Sequence, residues 1–276
     1  MVDAFFPTGS AKTLSQGERA LRDLVEGLIH WRIWHSMALN DIRQRYRRSR
    51  IGQFWLTISM AITIVGMGTV FSTLFRVKPE EYMPYVGCSL TIWALISSLV
   101  VDLSSSCIQG DAYLRNYPSP RCVVFFRTIM RNFILFAHNL IIIPPLLIFG
   151  QIPISWSILL SVVGMALLAL NAVWIGMLLG PLCARFRDLQ QIIQNVMTLA
   201  MYMTPVMWHV EQLGGRFPLL TRNNPFNAFL ELVRAPLLGR VPELHYYLFV
   251  LLITVIGFGV AVPFYAAFRR RIVYWL

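Results

Sequence analysis

Five arginines stand within Arg43–Arg50, and the 25 residues that follow, Ile51–Phe75, carry no charge. At about 1.5 Å per residue, a helix of that length crosses a hydrocarbon layer of roughly 30 Å. Arginines beside a span bias it to keep them on the cytoplasmic side. One stretch thus puts the chain in a membrane, orients it and marks its inner surface.

Composition agrees. The chain is 57% hydrophobic and 13% charged, about half the charge of a soluble domain at roughly 25%, so it reads as a polytopic membrane protein. A net charge of +11 would suit nucleic acid, but the arginines lie beside apolar spans and form no separate basic domain, so no nucleic-acid partner is expected. The first 50 residues lack the apolar core and small-residue cleavage site of a secretory signal, so the first span is expected to direct insertion itself. Cys88, Cys107, Cys122 and Cys183 form no CxxC pair and read as reduced packing residues, with no metal site.

Residues 1–17 read as a polar tail. Leu21, Leu24, Val25, Leu28 and Trp31 then share one helical face, with Arg22, Asp23, Glu26 and Arg32 elsewhere; Leu39, Ile42 and Tyr46 extend the apolar stripe. This predicts one or two amphipathic helices along the inner membrane surface, or else a cytoplasmic helix packed on the rest of the protein. Residues 1–50 form this tail-and-interface segment, and 51–276 form the transmembrane domain. Six spans are expected, at about 52–75, 84–107, 122–149, 156–182, 189–208 and 244–268. Asn132–Ala184 holds no Asp, Glu, Lys or Arg in 53 residues, enough for two spans that break at Phe149-Gly150-Gln151-Ile152-Pro153. Residues 209–243 are too polar to span and predict a short re-entrant or interfacial helical pair on the outer side. The fold class is therefore all-α, six transmembrane helices with both termini cytoplasmic. Of the 24 Lys and Arg residues, 18 fall on the side this topology places inside.

No catalytic constellation is visible. The sequence has no Walker A loop, HExxH, nucleophile elbow or paired carboxylates. His138 stands alone within a span and reads as a histidine bonded to a neighbouring helix, with a proton relay as the alternative. Asp102 is the one acid in an apolar span and sits near its inner end. The pairs Gly66/Gly68 and Gly176/Gly180 suit close helix packing. Intramembrane charges are too few for an ion-driven carrier, so energy must come from elsewhere. The short charged inner loops suit docking of a separate soluble motor, with Asp111, Arg115 and Arg121 as candidates in the 109–121 loop.

The run Arg45-Tyr46-Arg47-Arg48-Ser49-Arg50-Ile51-Gly52-Gln53-Phe54-Trp55 resembles the lead-in to the first span of ABC-2 type permeases that export polysaccharides, with Ile51 where leucine is commoner. Ala184-Arg185-Phe186-Arg187-Asp188-Leu189 is similar to that family's loop before its fifth span. Thr204-Pro205-Val206-Met207-Trp208, Asn224-Pro225 and the arginine-rich end are similar too, and the 109–121 segment departs by being more polar. The resemblance covers about residues 28–276. It implies a homodimer of channel subunits paired with two ATP-binding subunits in the bacterial inner membrane, moving a lipid-linked polysaccharide. This chain would bind no cofactor, while ATP and Mg would sit in the partner subunit, so the chain would be no enzyme. The segment before span 1 and the loop between spans 2 and 3 would touch the ATPase, through Asp41, Arg43, Arg45, Arg47, Arg48, Asp111, Arg115 and Arg121. Spans 1 and 5 would face the path, which places Phe54, Trp55, Tyr202 and Trp208 against the polymer. The tail Ile272–Leu276 points to the O-antigen branch. The rivals are an exporter of small hydrophobic drugs or lipids on the same fold, and a membrane-embedded acyl- or glycosyltransferase.

Overall fold

In lipid a long uncharged segment can satisfy its backbone hydrogen bonds internally only as a helix or within a closed barrel. The structure, a computed structural model, describes residues 16–47, 52, 54–117, 120–153, 155–209 and 221–276, and these form helices and turns with no strand. In chain order they are α1 (Gln16–Ile29), α2 (Trp31–Tyr46), α3 (Phe54–Phe75), α4 (Pro79–Gln109), α5 (Asp111–Asn116) and α6 (Val123–Asn139). A 3-10 turn, Leu140–Ile142, carries α6 into α7 (Ile143–Phe149). Then come α8 (Ile158–Arg185), α9 (Leu189–Met203), α10 (Pro225–Leu237), α11 (Leu244–Phe268) and α12 (Ile272–Trp275).

Among the described residues five helical runs are long and apolar enough to cross a membrane: α3, α4, the continuous run Val123–Phe149, α8 and α11. The predicted span 189–208 is shorter than expected. Helix α9 has 15 residues, about 22 Å, because Thr204 is extended and Pro205 cannot continue a helix. The predicted outer helical pair contributes one described helix, α10; the segment 210–220 lies outside the described residues, as do residues 1–15. Asn224-Pro225 starts α10 for a local reason. The Asn224 side chain accepts hydrogen bonds from the Phe226 and Asn227 backbone N–H groups, and Pro at the first helical position needs no N–H partner. Gly52 has φ +62°, a left-handed turn that glycine adopts without strain, just before α3 begins.

Helix α4 is the hub. It packs on α3, α6, α8, α9 and α10, and 67% of its apolar window is buried, against 17% for α3. Small residues permit this. A Cβ on Gly87 would come 2.3 Å from Leu146, and one on Gly180 would come 2.8 Å from Phe125 and 3.0 Å from Cys107. Of Gly66 and Gly68 only the second is packed, against Met83. All four cysteines are free and buried. Burial pushes the Cys122 thiol well above its usual pKa, and the Asp23 carboxylate beside it adds to the shift.

The helices are staggered. Gly87 sits against Ile64. Ile64 is about 15 Å along α3, and Gly87 is about 33 Å from the C-terminal end of α4. Helix α4 therefore runs about 18 Å past the start of α3. That overhang, with α1, α2, α5 and the first turns of α6, forms a layer at the arginine-rich end. Asp102, Arg127 and Arg131 belong to it.

In α1 the predicted apolar stripe faces outward. Leu21, Val25, Leu28 and Trp31 are each more than half exposed. The packed face is Ala20, Asp23 and Leu24, laid on α11 and α6. Asp23, read as a polar-face residue, is buried; its carboxylate accepts from Tyr265 Oη at 2.5 Å and the Arg121 backbone N–H at 3.1 Å.

Candidate functional site

A groove of about 520 Å³ lies between α3, α4 and α6, with Arg45 of α2 and Met201 of α9 also lining it. Its body is apolar: Leu56, Met60, Trp93 and Phe136. Its polar end carries Arg45, Asp102 and Asn132. Asp102 is held by partners on α6, accepting from Arg131 Nη2 and Asn132 Nδ2, each at 3.0 Å. A paired carboxylate in the overhanging layer is not a free intramembrane acid, and this accounts for Asp102 without an ion-coupling role.

Asp41 of α2 joins the same cluster. It accepts from Arg127 Nε and Nη2 at 2.7 and 2.5 Å and lies 3.4 Å from Arg131 Nη1. Its side chain is therefore directed into the protein. Arg43 and Arg45 are exposed on α2 and Arg47 just after its end, and Arg48 lies outside the described residues. Asp111 and Arg115 pair with each other on exposed α5. Arg121 donates to the Arg269 carbonyl. The sequence-selected charges thus fall into two groups, an exposed set on α2 and α5 and an inward set of Asp41 and Arg121.

Three of the four selected aromatic residues are exposed, and Trp208 is half-buried. Phe54 and Trp55 are exposed at the start of α3, and Tyr202 is 65% exposed on α9. Trp208 Nε1 donates to the Tyr202 carbonyl at 3.3 Å. The His138 ring bonds the Ile134 carbonyl of its own helix at 2.8 Å, not a neighbouring helix, and meets Phe54 edge-on. Helix α9 exposes a row of uncharged polar side chains, Gln191, Gln194, Asn195, Thr198 and Tyr202, spaced for one helical face.

The opposite end holds an arrangement that sequence reasoning missed. Arg234 of α10 is 1% exposed. It pairs with Glu231, donates to Ser89 Oγ at 2.8 Å and the Pro205 carbonyl at 2.7 Å, and caps the Tyr85 ring at 4.3 Å. The other close neighbour of that ring is His209, stacked at 3.9 Å. Burial opposes the guanidinium charge, but the Glu231 carboxylate and Tyr85 outweigh it, so the Arg234 pKa lies above its usual value. Tyr82 Oη and Tyr85 Oη donate to the Met207 and Pro205 carbonyls. These carbonyls follow the end of α9 and have no helical partner, and side chains of α4 and α10 bind them. A lone arginine between apolar residues in 226–238 was the available signal.

The family model described as ABC-2 type transporter matches residues 34–238, from within α2 to the end of α10. This chain belongs to the ABC-2 type transporter family. It is a membrane component of a transporter, not an enzyme. This ABC-2 chain is also similar to the O-antigen export system permease protein RfbA of Myxococcus xanthus, at 24% identity over 174 residues. That match covers 63% of this chain and 66% of the relative. All of α1, α11 and α12 lie outside the family match. The Asp23–Tyr265 bond therefore links two elements on either side of the shared region.

Proposed function

We propose that this ABC-2 chain is the permease subunit of an exporter that carries lipid-linked polysaccharide, O antigen, across the bacterial inner membrane. The observation that carries this reading is the uncharged polar face of α9, with Tyr202 on it. Exposed amides and hydroxyls at membrane depth are costly against lipid. They suit a water-filled path lined by weak hydrogen-bonding groups and rings, along which a glycan can slide without being held in one register. In this reading α9 is the short fifth span, and two copies enclose the path between their α3 and α9 faces, with Phe54, Trp55, Tyr202 and Trp208 along it and α10 as the outer cap. Both termini are cytoplasmic. Residues 1–50 form the interface segment, whose outward stripe on α1 lies against the inner leaflet, and 51–276 form the transmembrane domain. Two separate subunits bind ATP and Mg and dock on the exposed charges of α2 and α5; this chain binds neither.

The apolar groove body favours a second reading, an exporter of lipids or small hydrophobic molecules. One experiment separates the two. The permease is reconstituted with its ATP-binding subunit, and hydrolysis is measured with added lipid-linked polysaccharide, the same lipid without glycan, or hydrophobic dyes. Stimulation that requires the glycan supports the proposal. Equal stimulation by the bare lipid or a dye selects the second reading.

A further inference from the structure

We infer that Arg131 is a positioning residue that transmits the position of α2 to the wall of the groove, through Asp41 on one side and Asp102 on the other. The inference rests on the exporter reading for its purpose, and on the charge cluster for its mechanics.

Arg131 is 6% exposed, and its planar guanidinium touches three side chains on two other helices at once. Nη1 reaches Asp41 of α2 at 3.4 Å and Gln109 of α4 at 2.9 Å; Nη2 donates to Asp102 of α4 at 3.0 Å. Because the fork is rigid, one arm cannot move without turning the other. The arms are unequal: those to α4 are at hydrogen-bond distance, while the arm to α2 is long. Asp41 is held mainly by Arg127, so it is shared between two arginines one turn apart on α6. A small shift of α2 along α6 moves Asp41 from Arg127 towards Arg131 or away from both.

The consequence reaches the groove directly. Asp102 and Asn132 line it and are bonded to each other. Arg127 and Arg131 balance Asp41 and Asp102, so withdrawing Asp41 strips Arg127 of its acid among the described residues and leaves Arg131 with Asp102 alone. Arg45 travels on the same helix as Asp41 and stands at the groove's polar end. Movement of α2 thus shifts one wall residue and re-pairs another.

The test uses the complete transporter with its ATP-binding subunit in nanodiscs. Ser98, a groove residue, is replaced by Cys, and its labelling by a water-soluble maleimide is timed with and without trapped ATP. The native cysteines are buried, so background is low. We expect ATP to change the labelling rate about tenfold, within the roughly 5–150-fold range of allosteric couplings. Asp41→Asn or Asp102→Asn alone should bring the ratio close to one, and the double variant should lose no more than either single one. The charge-conserving Asp41→Glu and Arg131→Lys should also lower it, and they decide the matter if the Asn variants do not assemble. A ratio that ATP never changes, effects that add in the double variant, or a fall in thermal stability with the ratio intact would each overturn the relay. Failure of the exporter reading appears separately, as absence of glycan-stimulated hydrolysis in the unmutated complex.

Discussion

The two ends of this molecule are braced in different ways. At the arginine-rich end the charges pair between elements distant in sequence: Asp41 with Arg127, Arg131 with Asp102, and Asp23 with Tyr265 and the Arg121 backbone. At the opposite end one buried cation does the work within a small neighbourhood. Arg234 takes its counter-charge from Glu231 on its own helix and spends its remaining bonds on Ser89 and the Pro205 carbonyl. The first end is a distributed network with several shared groups, able to re-pair when one helix shifts. The second is a single pin that fixes the chain after α9 to α4 and α10. A transporter that receives force at one end and must hold a shape at the other would be built with that asymmetry.

The comparison predicts unequal damage. Arg234→Ala removes the pin and leaves the Glu231 carboxylate without its arginine, while the Pro205 carbonyl keeps only Tyr85 Oη and Ser89 Oγ keeps only the Tyr85 carbonyl. The expected loss is about 3–5 kcal/mol, the usual cost of breaking a buried ion pair, read as a large drop in detergent-solubilised thermal stability. A loss below about 1 kcal/mol would mean that the opposite end is braced by something else. Asp23→Ala should cost less, about 1–3 kcal/mol for the donors it strands, because α1 keeps its packing on α11 and α6. Limited proteolysis should then release the α1 segment before the bundle unfolds; simultaneous loss of both would erase the distinction between network and pin. The smallest effect concerns Cys122, beside Asp23. Its pKa is raised by burial and the neighbouring carboxylate, so less thiolate forms at pH 8 than at an ordinary thiol, whose pKa is about 8.5. Maleimide should leave Cys122 unlabelled in the native protein and label it after denaturation, and Asp23→Ala should allow slow native labelling.

Much of this was legible in the sequence. The arginine run and the uncharged stretches announced helices in lipid, and the Gly176/Gly180 spacing announced close packing. Asn224-Pro225 carried a cap signal, although its residues were read only as a family likeness. What stayed hidden depended on three-dimensional pairing. The hydropathy of 189–208 gave a full span because it counts residues, whereas Thr204 and Pro205 stop the helix, and the Pro205 and Met207 carbonyls beyond it accept from Tyr82, Tyr85 and Arg234. Asp23 looked like a solvent-facing acid because its helix neighbours are apolar on the other side. Its partner, Tyr265, lies more than 240 residues away, beyond the reach of local periodicity. Asp102 was read near the inner end of its span, but its partners Arg131 and Asn132 on α6 could not be read from its local context.

The central claim, that α9 faces a glycan path, is tested most directly at Tyr202. Tyr202→Cys is introduced into the complex with its ATP-binding subunit and treated with a water-soluble thiol reagent, with the transporter idle and with a polysaccharide stalled in transit. The account predicts labelling in the idle state and protection by the stalled polymer, with lower surface polysaccharide in Tyr202→Ala at unchanged protein level. A cysteine that stays unreactive in both states, together with normal export by Tyr202→Ala, would contradict it.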